Sequence, residues 1–235
     1  MSGCVRAGAK WVAVGLGIAT AAYGTYAAIT WYRYGNTTAP DHEAADPLLD
    51  RFMPSYEIVE RHQIHVAASA AVTLDAAREL DLLVSPVVRT IIRAREVILG
   101  ATLDDRRRAA GLLAEMQSLG WGVLTEVPGR EVVVGAVTRP WEANVTFRAL
   151  PPDQFAAFNE PGYVKIVWTL RADPVDATES VFRSETRAIA TDAVARRTFR
   201  RYWSVFSPGI IVIRWALLGP VKSEAERRAR DEKAA

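Results

Sequence analysis

Few side chains in this sequence can make or break bonds. There is one cysteine, Cys4, and there are three histidines, His42, His62 and His65. A lone cysteine excludes a disulfide framework and any cysteine-built zinc or iron–sulfur site. His62 and His65 lie three apart in a stretch that reads as a strand, so they point to opposite faces and cannot share one metal ion. No metal site and no cofactor is expected. The sequence has no phosphate-cradling glycine loop, nucleophile elbow, zinc signature or calcium loop. That leaves His62, Glu185 and Arg187 as candidates for acid–base chemistry. Glu185 and Arg187 sit two apart on one strand face, where an ordinary surface ion pair explains them better. No catalytic residue is assigned.

Composition narrows the class. Of 235 residues, 50% are hydrophobic and 24% charged, which excludes a disordered chain and a fully embedded membrane protein. The net charge of +2 is uneven: residues 196–235 carry net +6, residues 33–195 net −6 and residues 1–32 net +2. The basic end reads as helix surface. With a neutral bulk and no recognisable binding motif, no nucleic-acid partner is expected.

Residues 11–32, WVAVGLGIATAAYGTYAAITWY, carry no charge. A helix of that length spans roughly 33 Å, enough to cross a bilayer core. Trp11 at one end and Trp31 with Tyr32 at the other suit the headgroup level, and Lys10 and Arg33 close the segment. A single membrane-spanning anchor is expected. A cleaved signal peptide is the alternative, with small-x-small sites at 19–21 and 25–27, but the apolar run continues past both. Arg6 and Lys10 against the acidic flank Asp41, Glu43, Asp46 and Asp50 favour a cytoplasmic N-terminus and a domain outside the cell membrane. Gly17, Ala21, Gly24 and Ala28 form a small-residue stripe through which two copies could pair as a homodimer. No other stretch qualifies as a span: the run 210–218 is short and contains Arg214.

The rest of the chain must position any site. Residues 34–55 read as a proline-punctuated linker in which Leu48, Leu49, Phe52 and Met53 dock as a short helix. A strand over 56–66 is followed by a helix over 70–80 capped by Ser69, and by a second helix opening at Ser85-Pro86. On that second helix Val88, Ile91, Ile92 and Ile98 recur at helical spacing. A third helix is expected over 103–119, with Arg106, Arg107 and Arg108 on its solvated face. Strands follow over 121–127, 131–138, 144–149, 163–171 and 179–190. Asp192 caps a long final helix whose seam is Phe199, Trp203, Phe206, Ile210, Ile213 and Leu217. Pro208 should kink or restart it. The domains are therefore 1–33 anchor, 34–55 linker, 56–221 folded domain and 222–235 a charged tail that frays.

Three stretches, IHVAASAAVTLDAARELDL (64–82), GYVKIVWTL (162–170) and FRSETRAIATDAVARRTFRRYW (182–203), resemble the START-like, or SRPBCC, helix-grip superfamily of polyketide cyclases and plant pollen-allergen proteins. The resemblance covers about residues 56–220 and implies an α+β fold, a curved antiparallel sheet wrapped around a long C-terminal helix, here with an added N-terminal transmembrane helix. It also implies a cavity between sheet and helix that binds apolar ligands, with no shared catalytic motif to carry over. The residues agree on their own account, because an alternating strand and an apolar helix seam are the two surfaces available to enclose a pocket. Trp168, Phe182, Trp203 and Phe206 are its expected wall, and Ser184 and Thr186 its expected polar contacts. The expected function is a membrane-anchored module that binds or transfers a hydrophobic small molecule or lipid. The alternatives are a cyclase- or dehydratase-like enzyme and a structural membrane protein with a filled core.

Overall fold

A computed structural model describes residues 2–36, 46–81, 85–101 and 111–234. Its elements are α1 (Ser2–Arg33), α2 (Pro47–Phe52), β1 (Ile58–Val66), α3 (Ala70–Glu79), α4 (Pro86–Leu99), α5 (Leu112–Ser118), β2 (Gly122–Val127), β3 (Glu131–Thr138), β4 (Phe147–Arg148), α6 (Pro152–Ala157), β5 (Val164–Pro174), β6 (Ser180–Ala190), α7 (Ala193–Ala216) and α8 (Leu218–Ala234). Residues 103–110 of the expected third helix, with their three arginines, lie outside the described residues, as do linker residues 37–45.

Local chemistry sets these boundaries. Ser69 and Ser85 cap α3 and α4 by accepting from the backbone N–H groups of Val72 and Val88. Asp192 does the same for α7 at Val194 and Ala195. Gly120, at φ 101, turns the chain from α5 into β2. A Cβ there would lie 2.2 Å from the Phe147 carbonyl oxygen, so only glycine fits.

The six strands form one antiparallel sheet in the order β1-β6-β5-β3-β2, with β4 on β3. The period-2 pattern gives it two chemically different faces. Ile58, Glu60, His62 and Ile64 of β1, Ile166, Trp168 and Leu170 of β5, and Phe182, Ser184, Thr186 and Ala188 of β6 share the concave face. Helices α3, α5 and α8 cover one end of it, through Val66, Leu74, Leu170, Phe182, Leu217 and Val221. The first half of α7 covers the other, through Ile58, Val164, Ala188, Phe199, Tyr202 and Trp203. On the convex face α2 and α6 pack Leu49, Phe52, Met53 and Phe155 against Val133, Val137 and Val167. This is the expected α+β plan at the level of a curved antiparallel sheet with a long C-terminal helix.

Four expectations are corrected. Pro208 neither kinks nor restarts the last helix: α7 runs through it from Ala193 to Ala216. Packing against the sheet on one side and α1 on the other holds that turn, and the Tyr23 hydroxyl of α1 donates to the Val205 carbonyl beside the break in the ladder. The charged tail does not fray. It is α8, which buries Val221 and Ala225 and ties back through Arg228 to Glu79 and through Lys222 to the His65 carbonyl. Ile98 of α4 is 67% exposed, because the covered face of that helix centres on Val88 and Ile91 instead. The last correction concerns the span. Because α7 is continuous, the 210–218 run belongs to a longer apolar stretch. Among the described residues, the helical stretch Ala193–Ala234 is long and apolar enough to cross a membrane by length and composition. It lies at the C-terminal end of the chain, where no span was expected.

Residues 2–33 do form one helix, as the uncharged, proline-free segment predicts. It does not stand free. Tyr26 hydrogen-bonds the Ser207 hydroxyl at 3.1 Å, and Arg200 reaches the Trp31 carbonyl at 2.8 Å while its guanidinium lies over the Trp31 ring. Tyr34, one residue beyond the helix, donates to buried Glu57, which also pairs with Arg196. The Gly17 and Gly24 positions face open space. The side chains of residues 1–14, including Lys10 and Trp11, lie outside the described residues.

Candidate functional site

The two concave clusters are bridged by Ile166, which packs against both, with Trp168 at the edge of the first. Between them, at mid-sheet, the pleat presents Glu60, His62, Ser184, Thr186 and Trp168 to the second half of α7, which carries Phe206, Ile210, Ile213 and Arg214. Ile166, Thr186, Phe206, Ile210 and Ile213 are each only partly buried, unlike the residues of either cluster. The Trp168 indole N–H donates to the Ser184 hydroxyl at 2.7 Å, which fixes the ring plane. The Arg214 guanidinium lies 3.5 Å from the centroid of that ring. His62 stands opposite Ser184 in the strand register. Its Nε2 is buried, makes no hydrogen bond among the described residues, and lies 4.0 Å from Glu60.

The electrostatics follow from this placement. Burial lowers the Arg214 guanidinium to about 9, and no carboxylate of the described residues lies close enough to oppose it. Burial also pushes His62 down, helped by the charge of Arg214, so the imidazole is neutral at pH 7 with one nitrogen left without a partner. Burial raises the Glu60 carboxyl above its ordinary range. A cation, a neutral imidazole and a carboxyl thus share one narrow strip between two apolar clusters, each without a strong protein partner.

The convex face is the reverse. Arg187 is fully buried, with Nε on Glu185 at 2.7 Å and Nη1 on Asp50 at 2.6 Å and on the Met53 carbonyl at 2.9 Å. Arg61 adds two bonds to Glu185. Glu185 and Arg187, expected as a surface pair, are therefore a buried clasp holding α2 to the sheet; α2 itself covers them. Glu131 shares a hydrogen bond with Asp46 and accepts from Thr169 at 3.0 Å; burial and the neighbouring Asp46 charge push it up to about 7. A depression of about 280 Å³ opens here, lined by convex-face groups such as Asp46, Arg61, Arg171 and Glu185 and bordered also by His62 and Ser184 of the mid-sheet strip. Its arginines are already matched, Arg61 by Glu185 and Arg171 by Asp173, so it offers volume without an unmet charge.

Of the residues expected at the pocket, Trp168, Ser184 and Thr186 come together at mid-sheet. Phe182 is fully buried in the cluster under α3 and α8. Trp203 packs at the α1 end, and Phe206 stacks on Tyr202 with centroids 4.9 Å apart. Arg214 and Glu60 were missed. The signals were present: Arg214 is a charge in an apolar run with no acid three or four residues away, and Glu60 sits two residues from His62 on the same strand face. Among the described residues no cluster could hold a metal ion.

No family model and no curated protein matches the chain. Solved structures that resemble it include a hypothetical protein of Helicobacter pylori (7% identity, TM-score 0.38, covering 80% of this chain and 98% of that one). A conserved protein of Geobacillus kaustophilus follows (10%, 0.33, 72% and 96%). A third is the Zhui aromatase/cyclase of a Streptomyces species (16%, 0.25, 73% and 94%). All three likenesses are remote.

Proposed function

We propose that this protein is a membrane-tethered helix-grip module of the START-like (SRPBCC) kind that binds an apolar small molecule or lipid in the cleft between the sheet and the second half of α7. The observation that carries the reading is the unmatched polar strip of Arg214, His62 and Glu60 between two apolar clusters. A filled core would match or exclude such groups, because burying them unmatched is costly. The tether is α1, uncharged over residues 11–32, and its docking on α7 holds the cleft beside the bilayer where apolar ligands reside. Ile18 and Ile29 of α1 and Val212 and Trp215 of α7 are exposed apolar side chains suited to that surface. The basic residues before the helix favour a cytoplasmic N-terminus, and the open Gly17–Gly24 face is available to a second copy of the chain.

The test is extraction of the purified, detergent-solubilised full chain with organic solvent, followed by mass spectrometry. A stoichiometric apolar molecule is the expected result. An empty extract, with no thermal shift against a panel of lipids and quinones, overturns the reading in favour of an interaction protein.

One observation favours an enzymatic alternative: the unbonded Nε2 of neutral His62 can accept a proton from a bound ligand. In that case His62→Gln retains the ligand and accumulates it unconverted in the extract.

A further inference from the structure

We propose that the cleft takes an apolar ligand that carries an acid group, held by the Arg214 guanidinium where it lies against the Trp168 indole. This rests on the cleft reading above and names the ligand's chemistry. Other arginines packed against the sheet meet carboxylates: Arg61 and Arg187 meet Glu185, Arg171 meets Asp173 and Arg196 meets Glu57. Arg214 meets an aromatic face instead. A guanidinium partly withdrawn from water, as the half-buried Arg214 is, is destabilising without a counter-charge, and an anionic ligand removes that penalty while a neutral one does not. The planar fork of arginine matches a carboxylate through two parallel hydrogen bonds, and stacking on Trp168 pre-orients it for them. Ser184 completes the preparation by fixing the indole.

The neighbours fit the same ligand. The charge of Arg214 acts on His62, so the two side chains lie near each other, and the buried Nε2 of His62 has a hydrogen-bonding position to fill. Glu60 lies 4.0 Å from the His62 Nε2, and burial already favours its protonated form, which lessens its repulsion of a bound anion. Ile166, Ile210 and Ile213 supply apolar contacts for the body of the ligand. A cationic or purely hydrocarbon ligand would leave Arg214 unmatched.

The experiment titrates the detergent-solubilised full chain with matched pairs, octanoate against octanol and 2-naphthoate against 2-naphthylmethanol, by calorimetry. Each acid is expected to bind about tenfold more tightly than its alcohol, the scale of one charge-assisted contact. Arg214→Gln removes that preference and Arg214→Lys restores part of it. In the wild type, 2-naphthoate raises the His62 titration midpoint followed by NMR, because the anion offsets the charge of Arg214. Equal binding of acid and alcohol, with no His62 shift, overturns the acid assignment and leaves the cleft reading standing. No binding by any of the four probes, together with an empty solvent extract, overturns both. If Arg214→Gln fails to fold, the His62 shift in the wild type decides alone.

Discussion

The two faces of one sheet treat charge in opposite ways. On the convex face a fully buried arginine is paired with Glu185, Asp50 and a backbone carbonyl, and only its Nη2 has no hydrogen bond among the described residues. On the concave face an arginine of the same intrinsic chemistry has, among the described residues, only a tryptophan ring. Buried charge costs desolvation in both places, and only in the first do other protein groups offset it. The matched network fastens α2 to the sheet. The weakly matched strip is stability given up at one place.

Four measurements break or sharpen this contrast. Arg187→Met should be the most damaging, because it removes the buried cation that joins Glu185, which keeps Arg61, to the half-exposed Asp50 and the Met53 carbonyl: about 3 kcal/mol lost in chemical denaturation of the full chain. A loss below about 1 kcal/mol would mean that the clasp is not needed.

Glu131 comes next. Its carboxyl is raised from 4.5 to about 7 in the folded protein, so the native state holds that proton more tightly than the unfolded chain does. Stability is therefore lost as pH rises from about 4.5 to about 7, by roughly 2–3 kcal/mol. Glu131→Gln should flatten that slope, and a wild-type profile no steeper than the variant's would refute the shared proton with Asp46.

Ser184→Ala should cost about 1 kcal/mol, the worth of the indole hydrogen bond, and broaden the Trp168 Nε1–H signal in NMR. The smallest effect on stability is expected at Arg214. Arg214→Gln should stay within about 1 kcal/mol of wild type, since loss of the ring contact and relief of an unmatched charge oppose each other. A loss as large as that at Arg187 would make the concave strip structural after all.

Much of the fold was legible. Ser69, Ser85 with Pro86, and Asp192 announce their helices because a cap is a contact within three residues. The alternation of 163–171 announces β5 and its buried face for the same local reason. The continuity of α7 through Pro208 was not legible, because it depends on what packs against the turn from both sides. Nor was the order of α8, whose charged sequence hides a buried stripe of Val221 and Ala225 that only α3 and β1 reveal.

The candidate site was legible in part. Trp168, Ser184 and Thr186 follow from strand parity, and the structure brings them together. Phe182 and Trp203 have the same parity or seam and are drawn into the two flanking clusters, because parity gives a face and not a position along it.

By itself, then, the sequence determined the element order, the uncharged N-terminal helix and the side of each strand that is apolar. Those are properties of neighbours along the chain. The tertiary structure alone decided which charges are matched. Asp50 lies 137 residues from Arg187 and no local pattern joins them, while Arg214 resembles any other arginine until the described elements around it are seen to bring it no acid. Matching is a property of neighbours in space, and here it separates the charges that fasten α2 to the sheet from the one that meets an aromatic ring.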